Sequence, residues 1–80
     1  MAKVMIYTTP SCAFCKLAKA FFKENSVEYG EKDVTQDMTA QQEMIDKSGQ
    51  FGVPVIDIDG EIVVGFDKDR LSSILGIKQG

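Results

Sequence analysis

Eighty residues, 44% hydrophobic and 26% charged, describe one small globular domain and exclude a disordered chain. A net charge of −3 and a pI near 4.7, with no dense basic run, exclude a nucleic-acid binder. No apolar run is long enough to span a membrane, and Met1-Ala-Lys-Val leads straight into a strand-like run without a signal peptide's apolar segment, so the expected compartment is the cytoplasm.

Residues 3–8 are predicted to form a strand. Val4, Met5, Ile6 and Tyr7 are consecutive apolar residues, the pattern of a strand covered on both faces. Pro10 has no N–H for a ladder bond and ends the pairing. Ser11 is the expected N-cap of a helix over about 12–25. Leu17, Ala18, Phe21 and Phe22 form its expected buried stripe, Lys16, Lys19 and Lys23 lie on another face, and Asn25 stops it. Residues 27–34 read as a second strand, more polar and therefore at a sheet edge. Two strands joined by a helix imply a parallel βαβ unit with a right-handed crossover. A second helix is predicted over 38–48, capped by Asp37 or Thr35 and stopped by Gly49. Its apolar face is modest: Met38, Ala40, Met44 and Ile45. Residues 55–58 and 61–64 form a hairpin about Asp59-Gly60. Asp67 caps a last helix with Leu71, Ile74 and Leu75 inside. The order is βαβ-α-ββ-α.

The chain's two cysteines, Cys12 and Cys15, fall where the first strand gives way to the first helix. A thiol at a helix N-terminus faces unpaired N–H groups and the positive end of the dipole, which favour thiolate over thiol. A second thiol one turn on is within reach of a disulfide. A structural cross-link is disfavoured, because so short a loop removes little unfolded-state entropy and cytoplasmic disulfides are rare. A zinc site is not expected from two Cys and no His. The exposed Cys12 is expected to attack and the inner Cys15 to resolve. With no histidine as base, activation must be electrostatic. Ser11 and Lys16 are the residues assigned to its support, with Lys19 as a further cation if it folds back. The alternative for both lysines is a solvated helix face. Phe14, between the thiols, either covers the sulfurs and offers a partner an apolar surface or packs in the core.

Pro54 lies just before a strong strand. A cis Val53-Pro54 bond would leave the backbone of Val53 facing out, where an extended substrate could pair with it like an added strand. The alternative is a plain trans turn proline. Gly65-Phe66-Asp67 opens a helix whose first N–H groups suit a carboxylate, unless it is an ordinary capped helix.

With these elements in this order, nearly the whole chain resembles the glutaredoxin family. The features that carry the likeness are a strand ending in Tyr-Thr, Cys-x-x-Cys at the first helix, Val-Pro before the third strand and Gly-Phe-Asp before the last helix. The resemblance implies an α/β, thioredoxin-like fold spanning residues 1–80. Its four-stranded mixed sheet would be flanked by three helices, with the third and fourth strands antiparallel and the Val53-Pro54 bond cis. It also implies reduction of protein disulfides and glutathione mixed disulfides, with glutathione as reducing co-substrate and no bound cofactor. Phe14, Val53, Pro54, Gly65, Phe66 and Asp67 would then contact glutathione. Val53 would pair with its backbone, and the N–H groups near Phe66 and Asp67 would receive its γ-glutamyl carboxylate. A monomer is expected.

The chain departs from the family pattern at several positions. The usual Cys-Pro-Tyr-Cys is replaced by Ala13 and Phe14 between the thiols. A common Lys two residues after the strand Tyr is Thr9, a common Thr before Val-Pro is Gly52, and a frequent acidic residue after the last motif's Asp is Lys68. Several side-chain contacts to glutathione are therefore missing. Gly65-Phe66 followed by Arg70 also resembles small glutaredoxin-like proteins that supply electrons to ribonucleotide reductase and are recharged by thioredoxin reductase, a flavoprotein. A third reading, an iron–sulfur carrier, is disfavoured by the second thiol, Cys15.

Overall fold

The computed structural model describes residues 3–77. Its elements run β1 (Val4–Thr8), α1 (Ala13–Glu24), β2 (Tyr29–Asp33), α2 (Met38–Ser48), β3 (Val55–Ile58), β4 (Glu61–Val64) and α3 (Lys68–Leu75). The leader-free reading of Met1 and Ala2 and both ends of the 1–80 domain fall outside the described residues.

The four strands form one mixed sheet in the order β2-β1-β3-β4. β1 and β2 are parallel, as a helical crossover requires. β3 runs antiparallel to both β1 and β4. The polar β2 is at an edge, as expected. Asp59 and Gly60 turn the β3–β4 hairpin with φ of 51° and 93°, the two positive values of a type I′ turn.

Alternation along β1 separates two apolar layers. Val4 and Ile6 point toward α1 and α3, where they join Ala18, Phe21, Phe22, Ile56, Ile58, Val63 and Leu71. Tyr7 points the other way, into a smaller cluster with Val34, Ala40, Met44 and Val55 beneath α2. Phe22 is fully buried, and burying such a ring contributes roughly 1.5–3 kcal/mol. Ile74 and Leu75 pack half-buried against the larger cluster.

Three expectations are corrected. Ser11 is not the cap of α1; Cys12 is, with extended backbone and its sulfur accepting from the Cys15 N–H. Cys12 N–H donates to Thr9 O at 3.3 Å, closing a turn with Pro10 and Ser11 at its centre, so the helix starts one residue later. Leu17 is 51% exposed, because the buried face runs through Cys15, Ala18, Phe21 and Phe22 and leaves Leu17 at its margin. Met38 is 80% exposed, since it opens α2 and only Ala40 and Met44 of that helix are buried.

The remaining caps follow the side-chain chemistry. Asp37 caps α2 through the Ala40 N–H, while Thr35 turns its hydroxyl and N–H to Asp33. Gly49 closes α2 in the left-handed region with φ 72°. Asp67 caps α3 through the Arg70 N–H.

Ion pairs tie helices to strands: Lys19 to Glu31 at 2.7 Å, Lys32 to Glu43 at 2.9 Å and Lys47 to Asp57 at 2.7 Å. Burial raises the pKa of Asp57, but the Lys47 ammonium and the Gly60 N–H outweigh it and hold the carboxyl below its ordinary value. The Lys19 ammonium lowers Glu31 in the same way, and Lys32 lowers Glu43. A depressed carboxylate stabilises the fold above its unfolded pKa and loses that contribution as pH falls through the folded value. The urea midpoint is therefore expected to stay level from about pH 7 to 5 and to decline below about pH 4, with a shallower decline in Asp57→Asn.

Candidate active site

β1 delivers the chain to the redox turn, and α1 begins there. Cys12 is half-buried at the N-cap. Cys15 is 1% exposed on the first turn of α1. The two form a disulfide, with Cα atoms 5.2 Å apart. The Cys15 N–H donates to the Cys12 sulfur at 3.1 Å. A backbone donor at a helix N-terminus is thus aimed at one sulfur, and that sulfur belongs to the less buried cysteine of the pair.

Phe14 is 61% exposed; it lies on the first turn, at the open end of the sheet, and does not pack in the core. Lys16 is exposed, and its N–H donates to the Cys12 carbonyl at 3.3 Å. Ser11 is exposed within the turn. Lys19 does not fold back toward Cys12: its ammonium is held by Glu31.

Val53, Pro54, Gly65, Phe66 and Asp67 gather at the same end of the sheet. The register pairs Tyr7 with Val55, so one step further sets Pro54 beside Thr8, on the approach to Cys12. The Val53-Pro54 bond is cis. Among the described residues, no hydrogen-bond partner is found for the backbone of the half-buried Val53. Gly65, with φ of 80°, donates its N–H to the Pro54 carbonyl at 2.8 Å, which draws the start of the last motif against the Val-Pro segment. The Phe66 ring packs edge-on against Phe21 at 5.8 Å, so its side chain serves the core while its backbone stays at the site end.

One arrangement at this end escaped the sequence reading. The buried Thr8 hydroxyl donates to Glu31 at 3.0 Å, and the same carboxylate oxygen binds Lys19. This joins the end of β1 to β2 and α1 just before the redox turn. The available signal was the alternation of β2, which puts Tyr29, Glu31 and Asp33 on one face and so turns Glu31 toward the lysines of α1.

A half-buried cysteine capping a helix and a buried partner one turn on, carried by a β2-β1-β3-β4 sheet with a cis proline alongside, define a dithiol redoxin of the thioredoxin fold. Residues 4–63 match the glutaredoxin family model. The chain belongs to the glutaredoxin family, and its family and thiol pair fit a thiol–disulfide oxidoreductase. It is 40% identical over 72 residues to an uncharacterized glutaredoxin-like 8.6 kDa protein in the rubredoxin operon of Clostridium pasteurianum, covering 90% of this chain and 96% of that one. It is 37% identical over 67 residues to glutaredoxin 3 of Escherichia coli K12, covering 84% and 81%. The crystal structure of the thioredoxin-like protein BC3987 superposes with a TM-score of 0.85 at 36% identity, covering 90% of this chain and 99% of that one.

Proposed function

We propose that this protein reduces protein disulfides and glutathione mixed disulfides, with Cys12 as nucleophile and Cys15 as resolving thiol. The observation that carries the reading is the Cys15 N–H directed at the Cys12 sulfur, 3.1 Å away at the start of α1. In the reduced protein the same donor and helix end favour the Cys12 thiolate, with Ser11 and Lys16 at the rim of the turn. That thiolate attacks a substrate disulfide sulfur, forming a mixed disulfide and releasing one substrate thiol. Cys15, as thiolate, attacks the Cys12 sulfur, releases the second substrate thiol and leaves the Cys12–Cys15 disulfide. Two equivalents of an external monothiol, which leave as their own disulfide, or one external dithiol then restore the Cys12–Cys15 dithiol.

Glutathione is the proposed donor. The unpartnered backbone of Val53 and the adjoining Pro54 suit an extended tripeptide, and Phe14 adds an apolar surface beside the sulfurs. The N–H groups at Phe66 and Asp67, brought in by Gly65, suit its γ-glutamyl carboxylate. The expected compartment is the cytoplasm, and the other partners are disulfide-bearing proteins.

A second donor, a flavoprotein of the thioredoxin-reductase type, is favoured by one observation. Phe14 and Phe51 stand 61% and 70% exposed, two apolar rings better suited to a folded partner than to a charged tripeptide. Two coupled assays separate the donors, one with glutathione, glutathione reductase and NADPH, the other with thioredoxin reductase and NADPH. The expected result is NADPH oxidation in the first. Oxidation in the second alone rejects glutathione as the donor.

A further inference from the structure

Tyr7 is fully buried, yet its hydroxyl takes part in no step of the dithiol reaction. That hydroxyl donates to Glu43 at 3.1 Å and accepts from the Lys47 ammonium at 2.9 Å. Lys47 also binds Asp57 at 2.7 Å, and Lys32 reaches the same Glu43 oxygen at 2.9 Å. Both ammonium groups stand over the Tyr7 ring, 5.4 Å and 6.0 Å from its centre. Glu43 and Lys47 belong to α2, whereas Tyr7, Lys32 and Asp57 come from β1, β2 and β3. The phenol of β1 thus bonds the two α2 side chains, Glu43 and Lys47, whose own ion pairs tie that helix to Lys32 of β2 and Asp57 of β3.

What α2 leads into makes this junction matter for the site. The chain from Gly49 to Val53 is held mainly by short-range bonds. The Ser48 hydroxyl meets the backbone of Gln50, and the Gln50 amide donates to Gly52 O at 2.9 Å. Among the described residues, Val53 has no backbone partner of its own. Its side chain packs against the cluster of Tyr7, Val34, Ala40, Met44 and Val55 beneath α2, and the Gly65 N–H holds the neighbouring Pro54 carbonyl, so the segment follows the seat of α2 on one side and the pairing of β3 on the other. Tyr7 fixes both. It pairs with Val55 in the sheet, and its hydroxyl pins the second half of α2 through Glu43 and Lys47.

We propose that Tyr7, acting through Glu43 and Lys47, is a positioning residue for the substrate: it holds the Val53-Pro54 segment at the distance from Cys12 that an extended disulfide substrate needs. This rests on the redox reading above. A loss at Tyr7 weakens substrate binding and leaves the chemistry of Cys12 intact, because the dithiol turn and the start of α1 are held by separate contacts.

The test uses the full chain, a disulfide-linked peptide as substrate and dithiothreitol as reductant, so that it does not depend on the natural donor. Tyr7→Phe keeps the ring and the packing while removing the hydroxyl; Lys47→Met removes the bridge from a more accessible position. Each is expected to raise KM about fivefold, with kcat and the rate of Cys12 alkylation within twofold of wild type. Lys47→Arg keeps donors for both Tyr7 and Asp57 and is expected to restore KM. An unchanged KM in both variants overturns the inference, even if their stability falls, and so does a loss confined to kcat. If the wild-type chain itself turns over no disulfide peptide, the redox reading fails and takes this inference with it. Wild-type turnover with an unaltered variant KM defeats the inference alone.

Discussion

Cys12→Ser is expected to abolish turnover of both protein disulfides and glutathione mixed disulfides, by at least about a thousandfold. A serine hydroxyl can accept the Cys15 N–H bond and cap the helix as well as the sulfur does, so the fold should survive. What is lost is the nucleophile. A thiol begins with an ordinary pKa near 8.5, and a helix N-terminus can bring it close to neutrality. A hydroxyl lies far above that range, and no histidine is present to take its proton. Steady-state turnover with either substrate, beside a thermal melt of the variant, measures both halves of this expectation. Retained turnover in the folded variant would remove Cys12 from the mechanism and leave the helix-end geometry without a catalytic role.

That geometry was legible in the sequence wherever a residue's local chemistry decided the outcome. Cys12 and Cys15 were placed correctly, one at the opening of α1 and one within its first turn, by the break at Pro10 and the apolar periodicity that follows. The hairpin is readable from Asp59-Gly60, whose residue types suit a tight turn, and the caps of α2 and α3 from Asp37, with Thr35 as the alternative, and Asp67, because each capping aspartate bonds an N–H three positions on. Where partners lie far apart in the chain, local reading failed. Tyr7 reads as one more apolar residue of a buried strand, and nothing near it foretells Glu43 or Lys47. Lys19 reads as an exposed helix lysine until β2 brings Glu31 beside it. Leu17 and Met38 show the same limit from the apolar side. Periodicity assigns a helix its inner face but says nothing of where the sheet beneath it ends, and both residues remain exposed.

Cys15→Ser should separate the two reactions that Cys12→Ser abolishes together. Cys15 is buried and disulfide-bonded to Cys12, with the two Cα atoms 5.2 Å apart. After Cys12 attacks a protein disulfide, a thiol so placed acts at an effective concentration far above any millimolar thiol in solution. Its removal leaves the mixed disulfide waiting for an external thiol, and turnover of protein disulfides is expected to fall on the order of a hundredfold. The trapped adduct should be visible as the summed mass of protein and substrate. A glutathione mixed disulfide follows a different course. Cys12 alone can take up the glutathionyl group, and a second glutathione can remove it, so that activity should stay within about threefold of wild type if glutathione is the donor. Equal loss of both activities would mean that Cys15 is needed in every cycle. The exposed Phe14 and Phe51 would then mark the approach of a reductase that accepts electrons only through the Cys12–Cys15 disulfide.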